Sequence, residues 1–261
     1  MLTSLQNPLV KEMRKLHQGK VRRQQRQFLL EGTHLIQEAL AVGYPLSVVC
    51  HTAPWAQRYA DLAAALPRLI QRVEVVSETV LQALATTVHP DGIVAVAPQR
   101  PSPGPTPIIG VGLVLDTLQD PGNLGTIIRT AAAASADGLW LTADSVAPDH
   151  PKVLRASAGQ WFRLPMTVET HLENTLAAWT TQGIQLVATL PTATQTYWAI
   201  DFTRPTVILL GNEGAGLSPS LQRYATTTVR IPMSPAVESL NVAVSAALLL
   251  YEAQRQHHGI P

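Results

Sequence analysis

Short apolar runs alternate along the chain with longer stretches in which apolar positions recur at three- and four-residue spacing. That is the pattern of strands and amphipathic helices in turn. Before residue 98 it predicts a basic helix over 9–26, a strand over 28–32, and a helix from Thr33, as its cap, to about Ala41. A strand over 46–50, a helix over 55–66 and strands over 73–76 and 92–97 follow. This alternation indicates a small α/β domain. Pro98, Pro101, Pro103, Pro105 and Pro107 then interrupt the pattern. Proline fixes φ and removes a backbone donor, so 98–108 reads as a stiff linker between two domains, 1–97 and 109–261.

Past the linker the alternation is clearer. Strands are predicted over 111–116, 138–141, 164–168, 185–189, 207–210 and 228–231. Helices are predicted over 124–134, 152–158, 171–182, 217–224 and 240–256. Continuous apolar strands flanked by helices imply an α/β fold with a mostly parallel sheet covered on both faces. Ligands on such sheets bind outside the carboxyl ends of the strands, where Asp116, Gly211 and Ile231 fall.

Composition changes this picture little. The chain is 46% hydrophobic and carries a net charge of only +1, so overall charge announces no nucleic-acid partner. Its distribution is uneven. Lys11, Arg14, Lys15, Lys20, Arg22, Arg23 and Arg26 stand against a single acid, Glu12, in the first 27 residues. Such a run is either a solvated helix face or a phosphate-contacting surface. Cys50 is the only cysteine, which excludes an intrachain disulfide and a thiolate metal cluster. The eight histidines lack metal-ligand spacing, and no metal is expected. No stretch reaches the roughly 18 apolar residues of a membrane span. The first residues lack the apolar core of a signal peptide, so a cytoplasmic protein is expected.

Three polar islands at strand ends carry the candidate chemistry. The first is Asp116-Thr117-Leu118-Gln119-Asp120-Pro121-Gly122-Asn123-Leu124-Gly125, with Arg129 beyond it. Asn123 can cap the helix that follows. Arg129 lies among Ile127, Ile128 and alanines, where a guanidinium calls for a partner or a functional anion. The second island is Gly211-Asn212-Glu213-Gly214-Ala215-Gly216-Leu217. Glu213 is either a surface carboxylate on a turn or part of a loop whose glycines allow close backbone approach. The third is Ile231-Pro232-Met233, then Glu238-Ser239-Leu240-Asn241-Val242. Ser239 is a plausible N-cap, which would set Asn241 in the first turn. Neither a P-loop nor a GxGxxG fingerprint is present.

In this order the three islands resemble the SpoU (TrmH-like) family of RNA ribose 2′-O-methyltransferases, within the SPOUT superfamily. The motifs are Asn-Leu-Gly-x-x-x-Arg, Gly-x-Glu-Gly-x-Gly-Leu and Ile-Pro-Met followed by Ser-Leu-Asn-Val-x-Val. Lys152 to Gly159 also looks like a family stretch, and the resemblance covers 109–256. Asn212 and Ala215 occupy positions that vary. Residues 1–97 look like the family's L30e-like RNA-binding domain, through Phe28 to Gly32 and Pro90 to Val96.

The resemblance implies a C-terminal trefoil-knot domain, a homodimer, and S-adenosylmethionine as methyl donor. Gly211, Ile231 and Leu240 are its expected contacts, with Thr189 at the preceding strand end. Arg129, Asn123, Glu213, Ser239 and Asn241 match the catalytic motif positions. The implied roles are Asn123 and Asn241 orienting ribose or cofactor, and Glu213 holding Arg129 or Asn123. Arginine essentially never deprotonates, so Arg129 reads better as a phosphate and alkoxide binder than as a base. The implied substrate is structured RNA, ribosomal of the 23S type by family habit, gripped by the basic arm. Trp55, Arg58 and Tyr59 form either an RNA face or part of the core. The alternatives are a transfer RNA substrate and a catalytically silent RNA-binding protein on the same fold.

Overall fold

The computed structural model describes residues 1–101 and 106–259. Residues 102–105 in the proline linker, with Pro103 and Pro105, and 260–261 at the end of the second domain lie outside the described residues. The chain divides into two compact units. Residues 1–101 and 149–162 form the first. Residues 102–148 and 163–261 form the second.

The first unit begins with helices α1 (Pro8–Lys15) and α2 (Gly19–Gln25), where one basic helix was expected. The break falls at Leu16 to Gln18, just ahead of Gly19, a poor helix former. Strand β1 (Gln27–Glu31) leads into α3 (Thr33–Ala41), whose cap is Gly32 with Thr33 inside the helix. Then come β2 (Val48–His51), α4 (Ala53–Arg58), α5 (Ala60–Leu69), β3 (Val73–Val75), α6 (Glu78–Leu84) and β4 (Ile93–Pro98). Tyr59, at φ −118° and ψ 51°, separates α4 from α5, which had been expected as one helix. The sheet order is β1-β4-β2-β3, with β2 and β3 parallel and the other pairs antiparallel.

Period-two burial explains this sheet. Phe28 and Leu30 of β1, with Ile93, Ala95 and Ala97 of β4, face one apolar cluster. Leu29, Val94 and Val96 face a second, formed with Val10, Met13 and Leu16. Residues 149–162, expected in the C-terminal domain, pack with this unit. Helix α7 (Pro151–Ala156) puts Leu154 into the first cluster. Trp161 and Phe162 join Phe28 and Tyr44 in an aromatic group with ring centroids 5.1–6.2 Å apart. Gly159, at φ +81°, makes the turn between them.

The second unit is a parallel sheet of six strands. They are β5 (Val111–Leu115), β6 (Gly138–Thr142), β7 (Met166–Glu169), β8 (Gln185–Thr189), β9 (Thr206–Leu210) and β10 (Thr227–Val229). Their order is β10-β8-β9-β5-β6-β7, every pairing parallel. The helices are α8 (Pro121–Ala133), α9 (Leu172–Thr181), α10 (Pro219–Gln222) and α11 (Val242–His257). All five residues of β5 and of β9 are buried, as a sheet covered on both faces requires. From β5 the chain runs outward to β6 and β7, and β8 to β10 fill the other side. The boundary between β5 and β9 is therefore a switch point, where open sheets form ligand crevices.

Candidate functional site

The carboxyl ends of β5 and β9 are tied together by polar contacts that shape their loops. Asp116, 4% exposed, follows β5. Its Oδ2 accepts from the Ser218 backbone N–H at 2.7 Å, and its Oδ1 accepts from the Thr117 hydroxyl at 3.1 Å. Asn212 donates from Nδ2 to the Thr117 carbonyl at 2.8 Å. Its Oδ1 accepts from the N–H groups of Gly214 and Ala215 at 2.8 and 2.9 Å. Reciprocal backbone bonds of 3.0 Å between Asn212 and Gly216 close the loop. A β-carbon on Gly211 would overlap the Gly216 and Leu217 backbone, so only glycine fits.

A directed chain of side-chain bonds crosses this loop. Asp120, not Asn123, caps α8 by accepting from the Asn123 backbone N–H at 2.9 Å. That leaves the Asn123 amide available. Its Nδ2 donates to Glu213 Oε1 at 3.0 Å, and its Oδ1 accepts from Asn241 Nδ2 at 2.9 Å. Asn241, not Ser239, caps α11, its Oδ1 accepting from Ala243 N at 2.9 Å and Val244 N at 3.4 Å. The helix cap fixes which way the Asn241 amide points, and so fixes the direction of the whole chain. Partial desolvation opposes ionisation of Glu213, although the residue as a whole is exposed. Its bonds from Asn123 and from the Asp120 and Gln119 backbone N–H groups outweigh that and hold its carboxyl below the usual range. Glu213 thus holds Asn123, one of its two expected partners.

Beside this chain lies a cavity of about 360 Å³. Thr189, Gly211, Ile231 and Leu240 all line it, with Glu213 and Ser239. Glu238 and Met233, which had been given no role, line it too. The Thr189 hydroxyl is buried and has no partner among the described residues. A buried, unsatisfied hydroxyl costs about 1–3 kcal/mol, which a ligand able to hydrogen-bond there would relieve. Apolar walls from Leu210, Leu217, Ile231 and Leu240 stand beside polar side chains such as Thr189, Ser239 and Glu238, a mixture that suits a nucleoside carrying an amino-acid tail.

Arg129 stands apart. Six residues place it about 120° round the helix from Asn123, on the exposed stripe of α8. It makes no hydrogen bond or ion pair among the described residues. The buried residues of α8, among them Leu124, Ile127, Ile128 and Ala131, lie on another face, so the guanidinium reaches solvent without a partner inside the chain and stays open to an anion.

In the first unit, Lys11, Arg14, Lys15, Lys20, Arg23 and Arg26 are exposed, and Lys15 binds Glu12 at 2.6 Å. Arg22 is a correction. It is 3% exposed, with Nε on Asp149 Oδ1 at 3.2 Å and Nη1 on the carbonyls of Leu16 and His17. Its charge is spent inside the fold and offers nothing to a phosphate. Trp55 is likewise core, 2% exposed, its indole N–H donating to the Thr33 hydroxyl at 2.8 Å. No group of metal-ligating side chains and no helix long and apolar enough to cross a membrane occurs among the described residues.

The SpoU rRNA Methylase family matches residues 110–251, and the MRM3-like substrate binding domain matches residues 7–95. An uncharacterized tRNA/rRNA methyltransferase of a Synechocystis species is 51% identical over 98% of this chain and 93% of its own length. The 23S rRNA (guanosine(2553)-2′-O)-methyltransferase RlmP of Bacillus subtilis is 31% identical over 96% of this chain and 97% of its own. The SpoU methyltransferase AviRb of Streptomyces viridochromogenes, solved with AdoMet, superposes with a TM-score of 0.86 at 30% identity, covering 97% of this chain and 99% of that one. An AdoMet-bound rRNA methyltransferase from Sinorhizobium meliloti gives a TM-score of 0.83 at 35% identity, with 97% of each chain covered.

Proposed function

The chain belongs to the SpoU rRNA methylase family and is an S-adenosylmethionine-dependent RNA methyltransferase, and we propose that it methylates one ribose 2′-hydroxyl in ribosomal RNA of the 23S type. The observation that carries this reading is the cavity at the ends of β8 and β9. It combines the orphaned Thr189 hydroxyl with Gly211, Ile231 and Leu240, and it adjoins the Glu213–Asn123–Asn241 chain.

In this reading Thr189, Gly211, Ile231 and Leu240 hold the cofactor, whose bound form supplies an electrophilic methyl on a sulfonium. The acceptor hydroxyl is a weak nucleophile and must be aligned. Glu213 fixes Asn123, and Asn123 with Asn241 and Ser239 orients the ribose at the cavity mouth. Arg129 keeps its proton, binds the neighbouring phosphate and stabilises developing alkoxide charge. The proton of the 2′-hydroxyl leaves to phosphate or water, since Arg129 keeps its own.

The first unit grips structured RNA by backbone and shape, through Lys11, Arg14, Lys15, Lys20, Arg23 and Arg26. The protein acts as a cytoplasmic homodimer, with a trefoil knot formed around the 211–241 segments. An apolar stripe on α11 supports the dimer. Val244, Leu248 and Tyr251 are 48%, 36% and 51% exposed and line a groove of about 740 Å³ with Thr126 and Thr130 of α8.

The test is transfer of labelled methyl from S-adenosylmethionine to unmodified ribosomal and transfer RNA, with 2′-O-methyl mapping. Label at one ribosomal ribose is the expected result. Label in transfer RNA alone would keep the chemistry and change the substrate. Cofactor binding without transfer to any RNA, including assembly intermediates, would mark a silent RNA-binding protein.

A further inference from the structure

We propose that Trp198 walls a seat for an unstacked RNA nucleobase next to the cofactor cavity, an inference that rests on the methyltransferase reading above. Trp198 lies in a short 3₁₀ turn, Tyr197–Ala199, and is 60% exposed. The turn is pinned. Tyr197 N donates to the Arg230 carbonyl at 3.1 Å and Arg230 N to the Gln195 carbonyl at 2.9 Å. The Arg230 guanidinium holds the Ala193 carbonyl at 2.9 Å. Tyr197 is buried beneath, its ring centroid 5.3 Å from that of Trp198 and tilted by 42°. The backbone that carries the indole is therefore held in place, and the Tyr197 ring supports one side of it.

In front of it is a recess of about 350 Å³, walled by Tyr197, Trp198, Pro232, Met233, Val237 and Leu240. No charged side chain lines it, and its hydroxyls are those of Ser234 and Tyr197. Ile231, Met233 and Leu240 also line the cofactor cavity, so the two recesses share a wall. In-line transfer requires the target ribose at the mouth of that cavity, and the base of that nucleotide or its neighbour must lie within one nucleotide of it. A base so placed has left its stack, and proteins hold such bases on aromatic faces. An uncharged aromatic recess suits a base and does not suit phosphate. The competing occupant of so much apolar surface is a second copy of this chain, because Leu248 lines both this recess and the α8–α11 groove.

The test uses the full chain and a short RNA carrying the mapped target, made with and without the base on the target or adjacent ribose. Trp198→Ala should lower kcat/KM on intact RNA about tenfold, or about 1.4 kcal/mol, within the range for one base stacked on an aromatic ring. Trp198→Phe should recover most of it. Binding of S-adenosylmethionine by titration and the sedimentation coefficient should not change. Removing the stacked base should cost the wild type a similar factor and cost Trp198→Ala nothing more. Independent, multiplying losses would overturn the seat while leaving the enzyme's function intact. A shift to monomer in Trp198→Ala would also overturn it and give the surface to a second copy. A wild type that methylates no RNA would remove the parent reading, and the seat with it.

Discussion

Replacing Asn123 by alanine removes two bonds at once, the 3.0 Å bond to Glu213 and the 2.9 Å bond from Asn241. The backbone bond that caps α8 through Asp120 survives, so the helix keeps its start. A hydrogen bond to a charged group contributes about 1.5–3 kcal/mol net and a neutral one about 0.5–1.5. Glu213 is exposed, so screening puts its bond at the low end of that range. Together the two amount to about 2 kcal/mol, or about thirtyfold in a rate constant. Asn123→Ala should therefore lower kcat/KM for methyl transfer about thirtyfold with the far-ultraviolet spectrum unchanged. The assay that isolates the chain is a double-mutant cycle with Asn241→Ala, read in single-turnover transfer. Asn241→Ala alone also loses the α11 cap, but the bond shared with Asn123 can be lost only once. The two losses should therefore fall short of additivity by about 1 kcal/mol. Additivity within about 0.3–0.5 kcal/mol would refute the idea that these side chains act as one unit.

Gly211→Ala drives a β-carbon into the Gly216 and Leu217 backbone, so the cavity loop must move. Calorimetric titration should show at least a tenfold loss of S-adenosylmethionine affinity, and wild-type affinity would mean the loop does not shape the cavity. Arg129→Ala should abolish turnover and leave cofactor affinity within about twofold; normal rates would remove Arg129 from the mechanism. Arg22→Ala breaks a buried pair and should destabilise the first unit by about 3 kcal/mol in urea. Exposed Arg23→Ala should instead cost little stability and weaken RNA binding, and the reverse pattern would restore Arg22 to an RNA surface. Glu31 gives a pH dependence. Burial opposes its ionisation, but bonds from Thr87 and Thr86 and the charge of Arg155 prevail and hold its carboxyl below its ordinary value of 4.5. A depressed carboxyl stabilises fully above the ordinary value and loses that contribution as pH falls through the lower folded value. The thermal stability of the first unit should fall below about pH 4.5, and Glu31→Gln should flatten the slope; the same acid slope in both would discount Glu31.

Strand β8 reads the same in sequence and structure because its run is apolar, short and bounded by Gly183 and Pro191. The cavity residues were legible for another reason. Gly211, Ile231 and Leu240 were named through the family motifs that carry them; Thr189 and Gly211 stand at the ends of β8 and β9, which a parallel sheet gathers at one edge, whereas Leu240 comes from the segment just ahead of α11. Helix α6 had no counterpart in the expectation, although Ser77 caps it and Val80, Leu81 and Leu84 face the core. Its signal was present and too short to stand out. The caps were misassigned where two candidates lay close together. Asp120 and Asn123 both suit an N-cap, as do Ser239 and Asn241, and local preference does not rank them.

By itself the sequence determined the alternation of strand and helix, the parallel character of the second sheet and the family, since each depends on local periodicity or on motifs at strand ends. Tertiary structure alone decided three things. It buried Arg22 against Asp149, 127 residues away, where composition offered only a basic run. It sent residues 149–162 into the first unit, because Leu154, Trp161 and Phe162 find their apolar partners on β1 and around Tyr44. And it joined Glu213, Asn123 and Asn241 into one directed chain, through contacts spanning 90 and 118 residues. Local pattern reports what a residue prefers. Which distant group satisfies it is settled only when the whole chain has packed.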